Sequence, residues 1–417
     1  TMKKLLFFIF LIPSINISQG LEFSPPNQQG VSDDRIKLIS QLSEKYVKDN
    51  KVANITTIVN RNGKIVYYES FGDRGFSDER KVKKDDLYRI YSMTKPIVSV
   101  AVMQLYEKGF FHLNDPVENF LPSFKDQKIA VTKDSLINAI NKITIKDLLT
   151  HSSGLSYGWS QHPADEYYRK SNIWRAKSLD DFTQKISSLP LRFEPGTKYN
   201  YSVSTDILGS LIEKVTGQNL SDYLYQNIFL PLGMNDTFFK VPENKRKRLL
   251  PNHRYNNATN DIQTIPNDER YRIAAFDSGG GGLISTALDY MIFAECLRNG
   301  GVYDNKRIIG SKTLKYMIKN HLPSNVLGIG RGESPNDPSI SSTTFGLGFG
   351  ILNDPAVNSV IGSKGSYSWG GAAGTVFWVD PVENLVVVSM IQLMNSPWTL
   401  RNDLRVSVYQ ALAESYE

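Results

Sequence analysis

Ser92 and Lys95 stand three residues apart in the stretch Arg89-Ile90-Tyr91-Ser92-Met93-Thr94-Lys95-Pro96-Ile97. On a helix, positions i and i+3 share a face, so the Lys95 amine can reach the Ser92 hydroxyl. A serine hydroxyl is a poor nucleophile at neutral pH until a base within hydrogen-bond reach takes its proton. A desolvated lysine can be that base, because burial disfavours the charged form. The apolar run Ile97, Val98, Val100, Ala101, Met103 and Leu105 predicts a helix that buries Lys95 beside Ser92. The plain alternative is a serine cap at a helix N-terminus, and Ser-x-x-Lys alone does not decide between the two.

Three further stretches decide it: His151-Ser152-Ser153-Gly154-Leu155, Pro195-Gly196-Thr197-Lys198-Tyr199-Asn200-Tyr201-Ser202 ahead of a helical run, and Ser368-Trp369-Gly370-Gly371-Ala372. In this order and spacing the set resembles the serine β-lactamase and penicillin-binding-protein superfamily. Within it, the likeness is to the class C-like branch of esterases (family VIII-type), D-aminopeptidases and related serine hydrolases. It runs from about residue 55 to about residue 392. The resemblance implies Ser92 as nucleophile, Lys95 as its first partner and Tyr201 at the family's tyrosine position. There Tyr201 acts as a phenolate kept ionised by Lys95, taking the Ser92 proton and passing it to the leaving group. A tyrosine with a reference pKa of ~10 cannot do this unaided at neutral pH. The resemblance also implies an oxyanion hole from the backbone amides of Ser92 and Ala372, with Trp369, Gly370, Gly371 and Val203 in contact with substrate.

Two departures from the family pattern bear on substrate. Trp369 replaces the motif lysine that holds a substrate carboxylate, and Val203 replaces the asparagine of Tyr-x-Asn. Such a site loses polar reasons to prefer penicillins or peptides with a free carboxylate, and it gains an apolar wall. A neutral carboxylic ester is therefore expected over a β-lactam. The enzyme alternative is a β-lactamase or D-alanyl-peptide hydrolase whose substrate carboxylate is met by Lys364 or by an arginine elsewhere. An alternative of another class is a catalytically silent, penicillin-binding-like scaffold.

Gly154-Leu155-Ser156-Tyr157-Gly158 also matches Gly-x-Ser-x-Gly, the nucleophile elbow of α/β-hydrolases. That elbow needs a strand before it. Here a helical pattern, Ile145 to Thr150, precedes it, so Ser156 is not expected to be the nucleophile. The run Gly279-Gly280-Gly281-Gly282 lacks the strand and basic residue of a phosphate loop and predicts a close backbone crossing instead. The five histidines are scattered without metal-ligand spacing, so neither metal nor cofactor is expected. His151 is expected to brace a turn, while His162 or His253 could line the cleft.

The elements that must position these groups read as α+β. Residues 33–48 show helical periodicity. Two β-rich runs, 54–59 and 64–71, flank Asn62-Gly63, a hairpin signal. Helical text fills most of the span to Gly279. Three β-rich runs follow, at 345–351, 375–379 and 384–392, and then a closing helix at 400–415. Two early strands and several late ones predict one antiparallel sheet flanked by terminal helices, as in the β-lactamase/transpeptidase-like fold. The expected division is a signal peptide at 1–20, a linker at 21–32 and a hydrolase domain at 33–417. Within that domain, 33–85 and 283–417 form an α/β lobe around a mainly helical lobe at 86–282.

The 417 residues are 41% hydrophobic and 22% charged, with a net charge of +6, an ordinary globular composition. No basic run carries interleaved aromatics, and Lys245-Arg246-Lys247-Arg248 is expected to be a solvated loop, so nucleic acid is not an expected partner. Lys3-Lys4 followed by apolar residues 5–12 predicts a secretory signal, hence a periplasmic or secreted protein. That apolar stretch is too short to span a bilayer, so no stable membrane anchor is expected. The lone Cys296 cannot form an intrachain disulfide and is expected to be a buried, inert thiol. The expected partner is a small ester or amide; the sequence does not set the oligomeric state.

Overall fold

The computed structural model describes residues 20–265, 275–329 and 343–416. The expected signal segment lies outside them except for Gly20.

A nine-stranded sheet organises the chain. Its strands are β1 (Glu22–Phe23), β2 (Asn54–Arg61), β3 (Lys64–Gly75), β4 (Asp78–Lys81), β5 (Thr343–Phe345), β6 (Gly350–Leu352), β7 (Tyr367–Gly370), β8 (Val376–Asp380) and β9 (Leu385–Met390). The order across the sheet is β1-β3-β2-β9-β8-β7-β6-β5, with β4 also on β3. Asn62 and Gly63 take positive φ (55° and 80°) and join β2 to β3 in the hairpin that an Asn-Gly pair favours. The early and late strands meet where β2 pairs antiparallel with β9, Val59 opposite Val387.

Within residues 21–32, expected as a linker, Glu22 and Phe23 pair with the sheet: β1 runs parallel to β3, Glu22 opposite Lys64. Polar composition hides this, because an edge strand two residues long leaves no periodicity to read.

Both faces of the sheet are covered, and so Val386, Val387 and Val388 can be consecutive and all buried. Side chains alternate between the faces. Val386 and Val388 join the core under helices α2 (Thr94–Glu107) and α4 (Ala287–Arg298). Leu385, Val387 and Trp378 pack on the opposite face against α1 (Lys37–Lys48) and α5 (Leu400–Tyr409). Helix α2 is buried on nearly every side from Thr94 to Leu105, as a helix apolar all round must be. It packs on α3 (Ser204–Thr216), which ends at Gly217 in the left-handed conformation. Cys296 lies buried on α4, and burial pushes its thiol up to about 12.

Candidate active site

Ser92 sits in a single 3₁₀ turn, Tyr91–Met93, that runs directly into α2. The turn is sharp because Tyr91 adopts φ +45°, a conformation costly for a bulky residue. Asn252 holds it there, its Nδ2 donating to the Tyr91 hydroxyl at 2.7 Å. One turn on, Lys95 is 1% exposed. Its Nζ donates to Ser92 Oγ at 3.4 Å, to the Tyr157 hydroxyl at 3.0 Å and to the Gly280 carbonyl at 2.6 Å. The i, i+3 geometry thus brings amine and hydroxyl together.

Tyr201 reaches the same amine by its face, not its hydroxyl: Nζ lies 4.6 Å from the ring centroid. The Tyr201 hydroxyl is buried with no hydrogen-bond partner among the described residues. The phenol bonded to Lys95 is that of Tyr157, which the sequence offered only as a neighbour of Ser156. Tyr157 in turn stacks on Trp159, ring centroids 4.3 Å apart and 9° from parallel. Burial, reinforced by the Tyr201 phenol and the Asp206 carboxylate, pushes the Tyr157 phenol well above its usual range, so it stays protonated at neutral pH.

Gly371 explains how the second wall closes on Ser92. A Cβ there would meet the Ile90 carbonyl at 2.4 Å and Thr375 Oγ1 at 2.2 Å, so only glycine lets this turn rest on the chain ahead of Ser92. That contact brings the exposed Ala372 to the mouth of the site. Neither the Ser92 nor the Ala372 amide donates to a carbonyl among the described residues. A Cβ at Gly370 would abut the Arg401 guanidinium at 2.8 Å. Trp369 packs against Tyr201 and Phe345, ring centroids 5.6 and 5.1 Å away.

Ser92, Tyr201, Trp369, Gly370, Gly371 and Ala372 all line one cavity of about 1240 Å³, with Tyr157 and Trp159 in its wall. Val203 does not. It is fully buried in the core, so its expected contact with substrate is corrected: the first residue ahead of α3 turns inward to pack, not outward. Lys364 is exposed outside the cavity, whereas Arg192, Lys198, Arg401 and Arg405 line it.

Several surrounding groups have structural duties. His151 is buried, and burial together with the Lys95 charge holds its imidazole well below the usual range, hence neutral. It ties two loops together, accepting from Ser202 N at Nδ1 (3.3 Å) and from Asn200 N at its carbonyl (2.8 Å). His162 lines the cavity and caps the helix Pro163–Lys170, while His253 lies in a separate cleft. Ser156 follows a helix, Ile145–Leu149, and donates to buried Asp165 at 2.5 Å. The glycine run crosses α3 closely: a Cβ on Gly279 would meet the Thr205 carbonyl at 2.6 Å.

Asp206, another group the sequence did not single out, lies behind Lys95, fully buried on the first turn of α3. Burial pushes its carboxyl up, opposed by the Lys95 ammonium and by bonds from Ser278 and Gly280. Its only signal in the sequence is indirect, a glycine run that must pack against something. Among the described residues no cluster of His, Cys, Asp or Glu could hold a metal, and no helix is long and apolar enough to cross a membrane.

A cavity-lining serine bonded to a buried lysine at the head of a core helix, beside an antiparallel sheet, fits an acyl-transfer serine enzyme. The β-lactamase family model matches residues 39–410, and the chain belongs to that family. Esterase EstB of Burkholderia gladioli is 28% identical over 88% of this chain and 93% of its own. Monacolin J acid methylbutanoyltransferase of Aspergillus terreus is 26% identical over 92% and 97%. Among solved structures, EstCE1, a hydrolase with promiscuous acyltransferase activity, superposes with a TM-score of 0.77 at 22% identity, covering 90% of this chain and 99% of that one. The protein is a serine hydrolase related to the β-lactamases.

Proposed function

We propose that the protein hydrolyses neutral carboxylic esters through an acyl-enzyme on Ser92. The observation that carries this reading is the Lys95 amine, buried and within reach of Ser92 Oγ, beside a Tyr201 hydroxyl that no protein group satisfies. The family pattern gives the Ser92 proton to Tyr201, but here the Lys95 amine is the group bonded to Ser92 Oγ, so Oγ attacks the ester carbonyl carbon as its proton passes to Lys95 Nζ. The carbonyl oxygen, now negative, is received by the amides of Ser92 and Ala372. Collapse expels the alcohol, which takes the proton that Lys95 received, relayed through the Tyr201 hydroxyl, so that Lys95 is a free amine again before water enters. Water then repeats the sequence on the acyl-serine, restoring the free enzyme. Tyr157, kept protonated, serves as a hydrogen-bond partner of Lys95 and not as a base. Trp369 and Trp159 supply an apolar wall suited to an uncharged acyl or alkyl group. The Lys3-Lys4 and apolar 5–12 pattern supports export to the periplasm or beyond.

One observation favours the β-lactam or peptide reading as runner-up. Arg405 lines the cavity and its buried Nη1 has no acceptor, which would suit a substrate with a carboxylate. Hydrolysis of short and medium acyl p-nitrophenyl esters, set against a chromogenic cephalosporin, separates the two. Faster turnover of the esters, lost in Ser92→Ala, is the expected result. Cephalosporin turnover exceeding that of every ester would transfer the assignment to the β-lactamase reading.

A further inference from the structure

Asp206 gives Lys95 a buried counter-charge. One carboxylate oxygen, Oδ2, has no hydrogen-bond partner among the described residues. The other, Oδ1, accepts from Ser278 Oγ at 2.6 Å and from the Gly280 amide at 3.0 Å. Gly280 then presents its carbonyl to Lys95 Nζ at 2.6 Å, the shortest of that amine's three bonds. Carboxylate and amine thus face each other across a single residue. No side chain fits between them, since a Cβ at Gly280 would lie 2.3 Å from Oδ2. Carrying a buried, half-satisfied carboxylate is costly unless a cation offsets it. Lys95, once it carries the Ser92 proton, is the cation whose charge acts on it.

We infer that Asp206 is a positioning residue for Lys95. Its Oδ1 fixes the Gly280 carbonyl against Nζ, and its charge favours the ammonium that Lys95 becomes on taking the Ser92 proton. The inference rests on the proposal that Lys95 is the proton acceptor. The logic is that of the aspartate behind a catalytic histidine, where a buried carboxylate holds the base in place and stabilises the cation formed in the transition state. The other titratable groups around Lys95 are the phenols of Tyr157 and Tyr201 and the neutral imidazole of His151. Asp206 is the carboxylate among the groups around Lys95, so the task falls to it.

Asp206→Asn tests it, because asparagine keeps an oxygen acceptor for Ser278 and Gly280 while removing the charge. With a p-nitrophenyl ester, kcat is expected to fall about 100-fold with KM within about threefold, and the acid limb of kcat/KM to move to lower pH by about one unit. Wild-type kcat with an unmoved acid limb would overturn the inference, as a purely structural aspartate would tolerate asparagine. Should Asp206→Asn fail to fold, Ser278→Ala removes one bond to Oδ1 and is expected to lower kcat about fivefold at constant KM; unchanged kcat there overturns the inference equally. Lys95→Ala run in parallel keeps the two levels apart. If Lys95→Ala is active, the base assignment itself fails. If it is inactive while Asp206→Asn behaves as wild type, only the role of Asp206 fails.

Discussion

Ser92 and Ser156 line the same cavity, and the difference between them lies in what each hydroxyl faces. Ser156 donates to Asp165 Oδ1 at 2.5 Å and accepts from the Gly158 amide at 3.0 Å. Asp165 is fully buried and also takes the amide and hydroxyl of Ser160, both at 2.8 Å. A carboxylate, with a reference pKa of ~3.9, holds an abstracted serine proton poorly. Ser156 is therefore locked into a bracing network. Ser92 faces an amine at a longer 3.4 Å, beside an amide with no carbonyl partner. The Gly-x-Ser-x-Gly text around Ser156 looks more like a nucleophile than Ser-x-x-Lys does. Its partner, not its motif, decides that it is inert.

The contrast breaks most visibly at Ser92. Ser92→Ala is expected to lower kcat/KM for p-nitrophenyl esters by at least about 10⁴-fold, the loss typical when a nucleophile is deleted. Retained activity in a folded Ser92→Ala protein would end the assignment. Next in size is Gly371→Ala. The added methyl must displace the Ile90 carbonyl or Thr375, and with either the Ala372 amide moves away from Ser92. Loss of one oxyanion donor costs about 10²–10³-fold in kcat. Kinetics with circular dichroism to confirm the fold would show the loss confined to kcat.

Much of this site was readable in the sequence, and the reason is locality. Ser92 and Lys95 are held by a helix's own spacing, the β2–β3 hairpin by Asn62-Gly63, and the glycine crossings by the absence of a Cβ. What could not be read depends on contacts closed over long separations. Tyr157 and Lys95 lie 62 residues apart, and Gly280 and Lys95 lie 185 apart. Nothing local distinguishes Asp206 from any other acidic residue near a helix start. Val203 failed for the same reason: its family position indicated contact with substrate, but the start of α3 turns that side chain into the core. Strand β1 went unread because its pairing, not its composition, makes it a strand.

The two tyrosines sharpen the comparison at a smaller scale. Tyr201→Phe removes a cavity-lining phenol with no partner among the described residues and is expected to cost about 10²-fold in kcat, as loss of a general acid does. Tyr157→Phe leaves the stacked ring in place and removes only one of three bonds to Lys95. A loss of about tenfold is expected there, since Ser92 and Gly280 still hold the amine. If Tyr157→Phe proves the more damaging, the proton path runs through Tyr157 and the two roles must be exchanged.

The smallest effect on rate, and a clear effect on stability, is expected for Ser156→Ala. Removing that hydroxyl leaves Asp165 Oδ1 without its closest donor and the Gly158 amide without its acceptor, both inside the protein. Stranded buried polar groups of this kind cost about 1–3 kcal/mol, which urea unfolding would register as a lower midpoint at constant slope. Activity should stay within about threefold, because the catalytic bonds of Lys95 do not pass through Ser156. A modest fall in kcat is still expected. Ser156 braces the loop carrying Tyr157 and Trp159, and a looser loop holds Lys95 less firmly. The two readouts must therefore part company: stability drops while turnover largely survives. Were turnover to vanish in a protein that still unfolds cooperatively, Ser156 would be the nucleophile and the contrast between the two serines would be inverted.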